Sequence, residues 1–206
     1  MHHTIGVIDV GLGNINSVVN MVNYLGFDVE LLRTKSDLNK ANKIILPGVG
    51  SFDKGIESLH KADMFLPIKE AHNNGMPLMG ICLGMQLLGL SSEEGTFAGL
   101  GLIDAETKKF PVQDVIVPHM GWSTVTMNSK KADAFFNDSI DKEQRYYFVH
   151  SYYMECKNKE DVFMSSQYGN TEFVSAVQKD NLYGFQFHPE KSHKFGMNIF
   201  KGFLML

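Results

Sequence analysis

"PLMGICLGMQLLG", residues 77–89, decides how the rest of the chain is read. An apolar run of strand length passes through Gly80 into a single cysteine, then meets Gly84 as a helical pattern begins. Gly80-Ile81-Cys82-Leu83-Gly84 has the form G-x-C-x-G, the cysteine counterpart of a nucleophile elbow. A nucleophile on a sharp strand-to-helix turn projects above the carboxyl edge of a sheet, and the flanking glycines relieve crowding around the turn. The helix N-terminus favours a thiolate, and the N–H of Leu83 is left free to meet an oxyanion.

Outward from this elbow, the first half alternates strands with helices. "TIGVIDV", "VELL", "KIILPG" and "PLMGIC" read as strands. "NINSVVNMVNYLGF" places Ile15, Val18, Val19, Val22 and Leu25 at helical spacing. "SFDKGIESLHKADMFLPIKEAHNNG" reads as mainly helical, broken or kinked at Pro67. Such alternation predicts right-handed crossovers and a mixed, mostly parallel sheet with helices on both faces. From about residue 96 the texture changes to β-branched and aromatic runs: "VIVPHMGW", "YYFVHSYYME", "VFMSSQY" and "EFVSAVQKDNLYGFQFHP", with "KDN" as a turn. "KFGMNIFKGFLML" closes the chain as a helix. No repeat or linker interrupts it, so residues 1–206 are expected to form a single α/β domain with a strand-rich second half.

The bulk numbers suit an ordinary globule: 206 residues, 44% hydrophobic, 20% charged. A net charge of -4 argues against a nucleic-acid footprint, and no window is long and apolar enough for a membrane span. The N-terminus lacks the basic-then-apolar pattern of a signal peptide, so a cytoplasmic location is expected. Cys82 and Cys156 have no C-x-x-C partners, which argues against a zinc knuckle or a disulfide framework. Cys156, in strand-like "YYMECKN", reads as a small buried hydrophobe. No metal cluster and no phosphate-binding Gly-rich loop stands out, so neither a metal nor a cofactor is expected.

A thiol nucleophile needs a base. His2, His3, His60, His72 and His193 sit in terminal or polar helical contexts that suit solvated side chains. His188 ends the apolar run "LYGFQF" and precedes Pro189, which forces extended geometry. Side chains at i and i+2 of an extended segment point the same way, so Glu190 reaches the His188 imidazole and fixes its tautomer. The glycine loop "PGVGSF", residues 47–52, ends another strand, and its Val49 N–H is a candidate second oxyanion donor.

With these residues assembled, the chain resembles the class I glutamine amidotransferases. "GICLGMQLL" and "HPE" mark the class, while "LPGVGSF", "PHMGW", "YYFVHSY" and "FHPEKS" resemble its imidazole glycerol phosphate synthase branch. The matches run in family order over nearly the whole chain. The resemblance implies a flavodoxin-like fold and a Cys-His-Glu triad, here Cys82, His188 and Glu190. It implies that Gln86 and the backbone at Gly50, Ser151 and Tyr152 hold L-glutamine. It further implies a (β/α)8-barrel synthase as heterodimer partner, receiving ammonia to make imidazole glycerol phosphate and AICAR in histidine biosynthesis. Asn14, Met120, Trp122, Tyr147 and Lys191 would lie at that interface. One departure stands out: the family usually shows "MGWN", and this chain has Ser123 after Trp122.

Three other readings fit the same residues. A stand-alone γ-glutamyl cysteine hydrolase uses the same elbow and histidine without a partner. A silent binding module keeps them as remnants. A paralogue supplying ammonia for sugar amidation in surface-polysaccharide synthesis shares the chemistry and the ending "HPEKSHKFGMNIFKGF".

Overall fold

The computed structural model of the chain describes residues 4–13, 15–113, 115–136 and 143–206. Its first half is built from β1 (Thr4–Ile8), α1 (Ile15–Tyr24), β2 (Asp28–Leu32), β3 (Lys43–Gly48), α2 (Phe52–Lys61), α3 (Phe65–Asn73), β4 (Leu78–Cys82) and α4 (Leu83–Leu87). The second half adds β5 (Ser91–Ser92), β6 (Ala105–Lys109), β7 (His119–Thr124), β8 (Thr126–Met127), α5 (Ser129–Phe136), β9 (Arg145–His150), β10 (Tyr152–Cys156), β11 (Val162–Tyr168), β12 (Thr171–Lys179), β13 (Leu182–Phe185) and α6 (His193–Leu204).

One long sheet runs β2-β1-β3-β4-β13-β12-β10-β6-β5, with β11 on β12 and β8 on β11; β7 and β9 form a separate antiparallel pair. β1 to β4 and β13 are mutually parallel, and β12 begins the antiparallel part. β3 is buried throughout, as befits a strand covered on both faces. Its alternate residues feed two cores: Ile45 joins Val7, Val18, Met79 and Phe200, whereas Ile44 and Leu46 join Phe52, Ile56, Leu59 and Leu83. That period of two puts α1, α5 and α6 on one side and α2, α3 and α4 on the other. Lys43, also buried, sends its ammonium to the carbonyls of Phe203, Leu204 and Leu206, which ties the end of α6 to the central strand.

The alternating first half, the turn at Asp180 and Asn181 and the closing helix stand where the sequence puts them. Three details differ. The helical stretch 51–75 breaks at Ala62–Met64, where Asp63 takes φ 52, and Pro67 lies in the first turn of α3. A proline there is harmless, because first-turn N–H groups have no intrahelical acceptor. "YYFVHSYYME" is two strands: it changes sheets at Ser151, so β9 pairs β7 while β10 pairs β6. β6 and α5 carry no apolar pattern strong enough to be read in advance; their partners, β10 and α6, decide them.

Candidate active site

Parallel pairing brings three strand ends together. Gly48 of β3 is in register with Cys82 of β4, and Phe185 of β13 with Ile81. The elbow, the glycine loop and the run to His188 therefore leave the sheet side by side, at the carboxyl edge where open α/β sheets bind ligands.

Cys82 takes φ 54 and ψ -110, a conformation that costs a non-glycine residue about 1–3 kcal/mol. Packing enforces it. A Cβ added at Gly84 would overlap the Leu46 carbonyl, and one at Gly80 would lie 2.6 Å from the Gly84 carbonyl oxygen. The Cys82 side chain is nearly buried, with Sγ 4.0 Å from the Val149 carbonyl and 3.8 Å from Gln186 Nε2. Because α4 spans only Leu83–Leu87, its dipole contributes less to a thiolate than the elbow motif suggests. The titratable side chain beside the sulfur is His188.

His188 Nδ1 donates to Glu190 Oε1 at 2.7 Å, with both side chains buried. That bond fixes the tautomer and leaves Nε2, buried and without a hydrogen-bond partner, available to the thiol proton. Burial pushes the His188 pKa down, but the Cys82 sulfur and the Glu190 carboxylate outweigh it and hold it up at about 9. Ser192, fully buried, clamps the segment: its hydroxyl donates to the His188 carbonyl and accepts the Tyr147 N–H. Cys156 is the contrasting thiol: it is half-buried rather than buried as expected, and burial and Asp161 push it up to about 12.

A cavity of about 290 Å³ is lined by Val49, Gly50, Cys82, Leu83, Gln86, Glu94, Pro118, Val149, His150, Ser151, Tyr152 and His188. All the residues named from sequence for the nucleophile, base, oxyanion and substrate are thus gathered there, with Glu190 behind His188. Leu83 opens α4, so its N–H belongs to a first turn without intrahelical acceptors. The Val49 N–H is engaged instead, donating to the Leu12 carbonyl at 2.6 Å. Gln86 Nε2 donates to the Tyr152 carbonyl and to Gln186 Oε1, which leaves its own Oε1 for a ligand's donor. Among the described residues no group of His, Cys, Asp and Glu side chains is placed to hold a metal ion. No helix among them is long and apolar enough to cross a membrane.

Glu94, on the cavity wall, and Gln186, buried behind the sulfur, were not named from the sequence. Glu94 accepts the Phe52 N–H through Oε2 and presents a carboxylate to the cavity, yet nothing in "SSEEGTF" signals it. Gln186, with its amide oxygen taken by Gln86, turns its N–H toward Cys82 Sγ. Its partners lie 100 and 104 residues back along the chain, beyond the reach of any local cue.

Four of the five expected interface residues share one face. Met120 and Trp122 project from β7 at 62% and 45% exposure. Tyr147 pairs in register with Trp122, and the Lys191 ammonium lies 6.0 Å from the Tyr147 ring centroid. His193 stacks on Trp122, with centroids 5.5 Å apart. Asn14 lies outside the described residues.

A strained cysteine at a strand-to-helix turn, with a carboxylate-held histidine beside it, is an arrangement suited to acyl transfer through a thioester. The class-I glutamine amidotransferase family matches over residues 6–206, and the chain belongs to that family. Its fold is that of the class, a mixed and mostly parallel sheet between helical layers. Among curated relatives, the chain is 46% identical over 202 residues to "Imidazole glycerol phosphate synthase subunit HisH 2" of Methanococcus maripaludis, covering 97% of this chain and 98% of that protein. It is 47% identical over 202 residues to the protein of the same name from Pseudomonas aeruginosa, with coverage of 97% and 98%. Among solved structures, PurLQS from Thermotoga maritima superposes with a TM-score of 0.76 at 19% identity, over 100% of this chain and 99% of that one, a likeness of fold alone.

Proposed function

We propose that the protein is a glutaminase that hydrolyses L-glutamine to L-glutamate and ammonia, and that it serves as the glutaminase subunit of an imidazole glycerol phosphate synthase. The observation that carries the reading is Cys82, held at φ 54 in the same cavity as the His188–Glu190 pair. The relatives' names support the particular synthase.

Cys82 Sγ attacks the side-chain amide carbon of glutamine, its proton having passed to His188. The oxygen of the tetrahedral intermediate is met by the Leu83 N–H, and by the Val49 N–H once that peptide turns from Leu12. His188 returns the proton to the leaving nitrogen, ammonia departs and a γ-glutamyl thioester remains. His188 then takes a proton from water, hydroxide adds to the thioester, and glutamate leaves with Cys82 restored. Glu190 holds the imidazole throughout. Gln86, Glu94, Gly50, Ser151 and Tyr152 bind the amino-acid end, with Glu94 the natural partner of an ammonium group.

Free ammonia near neutral pH is mostly protonated and unreactive, so the product is useful only if handed to a second site. The face bearing Met120, Trp122, Tyr147 and Lys191 receives a (β/α)8-barrel subunit, in a heterodimer of the cytoplasm that makes imidazole glycerol phosphate and AICAR. Both relatives carry the numeral 2 in their names, which favours one further reading: a paralogous glutaminase feeding a sugar-amidating enzyme.

Glutamate release is measured for wild type and Cys82→Ala, alone and with a barrel synthase carrying its nucleotide ligand. Partner-stimulated release that vanishes in Cys82→Ala is expected. Full release without any partner points to a stand-alone hydrolase, and stimulation only by a sugar-amidating partner points to the paralogue.

A further inference from the structure

Two buried histidines have no role in the chemistry above, although His150 also lines the cavity. His119 and His150 face each other in register across the β7–β9 pair. His150 Nδ1 lies 2.7 Å from the Tyr152 carbonyl oxygen. A carbonyl only accepts, so Nδ1 carries the proton and Nε2 the lone pair. His119 Nδ1 lies 3.1 Å from that lone pair and is therefore the donor. His119 Nε2 is then an acceptor, and it takes the Ser123 hydroxyl proton at 2.9 Å. Burial keeps both rings neutral, lowering His119 to about 4 and His150 to about 3, and the acceptor-only Tyr152 carbonyl sets the direction of the chain.

The inner end of this chain is a wall of the glutamine cavity. The Tyr152 carbonyl that receives His150 also receives Gln86 Nε2 at 3.1 Å. Its outer end, Ser123, is half-buried beside the exposed Trp122. Residues four apart in a straight strand stand about 13 Å from each other, farther than a histidine and a serine side chain can bridge. Gly121, between them, takes φ +133, far from the extended geometry of a straight strand. A Cβ there would meet nothing within 4 Å, so the backbone angle, not space, calls for glycine.

We infer that Ser123, His119 and His150 are positioning residues for glutamine: a one-way hydrogen-bond relay that holds the Tyr152 carbonyl, and with it the Gln86 amide, in the cavity wall. The inference rests on the glutaminase reading of that cavity. It also gives a role to the departure at position 123, since a serine hydroxyl supplies the one donor that His119 Nε2 requires.

Ser123→Ala removes the outermost donor without altering the cavity lining. With partner and nucleotide present, KM for glutamine is expected to rise about fivefold while kcat stays within about twofold, as for loss of one hydrogen bond that orders the binding wall. Ser123→Asn, whose amide is also a donor, is expected to restore KM. Nitrogen NMR of histidine-labelled protein reads the relay without any activity: both rings are expected neutral in the Nδ1–H form at pH 7, with the His119 Nε2 resonance displaced in Ser123→Ala. A fall in kcat at constant KM, failure of asparagine to restore KM, or a charged or Nε2–H ring at either position overturns the inference. If wild type releases no glutamate in any mixture, the glutaminase reading fails and the role in glutamine binding fails with it, whereas the NMR still shows whether the relay exists.

Discussion

The elbow at Cys82 and the glycine loop at Val49 end neighbouring parallel strands, yet they are held in opposite ways. At the elbow the backbone is over-determined: Gly80 and Gly84 are wedged against other backbone, and the nucleophile is nearly buried. In the loop, Val49 is 48% exposed, Gly50 sits at φ +105 with open space around it, and the N–H in question is tied to Leu12 by a single hydrogen bond. Such a bond contributes about 1 kcal/mol net, whereas an oxyanion donor is worth about 3 kcal/mol in the transition state. Charge developing on the substrate oxygen therefore outweighs the Leu12 contact. On the glutaminase reading proposed above, a rigid half stores the nucleophile, a loose half completes the oxyanion site, and a partner need bias only the loose one.

The largest effect expected is loss of the nucleophile itself. Cys82→Ala lowers glutamate release by about ten-thousandfold or more in the coupled assay, and retention of a substantial rate would remove the elbow from the chemistry altogether. Next comes the group that orients the base. Glu190→Gln is expected to cost about a thousandfold in kcat and to move the alkaline limb of the pH profile below its wild-type position near 9, the value at which His188 gives up its proton. The same group affects stability. The folded-state pKa of His188 lies above its ordinary 6.5, so its charged contacts stabilise the fold below pH 6.5, and that contribution disappears as the pH rises through about 9. Denaturant titrations at pH 6 and pH 9.5 should show a pH-dependent difference in wild type that narrows in Glu190→Gln.

Two glycines test the comparison directly. Gly84→Ala forces a Cβ onto the Leu46 carbonyl and is expected to destabilise the protein by about 3 kcal/mol or more, seen as a lowered Tm or loss of folded protein. Gly50→Ala meets no atom, but it disfavours the resting φ by about 1–3 kcal/mol. The fold should survive with a smaller change in Tm, while the ratio of partner-stimulated to basal glutamate release falls about tenfold. An unchanged ratio would mean that the loop is no switch. The smallest effect is expected at the other thiol: Cys156→Ser leaves glutamate release within about twofold. In wild type, iodoacetamide should modify Cys82 well before Cys156, whose thiol is held up at about 12.

Much of this site was legible in the chain because its chemistry is local. G-x-C-x-G around Cys82 and H-P-E around His188 each place a reactive group and its immediate support within a few residues. Short-range backbone rules, the elbow and the extended residue before proline, are enough to say where those side chains point. The alternation of strands and helices up to α4 likewise follows from apolar periodicity and so survives in the structure. Glu94, Gln186, Ser192 and the His119–His150 pair were not legible in this way. Each acquires its role from a partner far along the chain: Phe52 for Glu94, Cys82 and Gln86 for Gln186, Tyr147 for Ser192, and cross-strand register for the two histidines.

The sequence by itself determined the candidate nucleophile and base, the parallel α/β half and the resemblance to the family. Tertiary structure alone decided that β9 and β10 part at Ser151, that the Val49 N–H rests on Leu12, and that three strand ends close around one cavity. The physical reason is one of range. Backbone preference and side-chain periodicity act over a few residues, but sheet register, burial and the direction of a buried hydrogen-bond chain are set by whichever distant segment supplies the matching donor or surface.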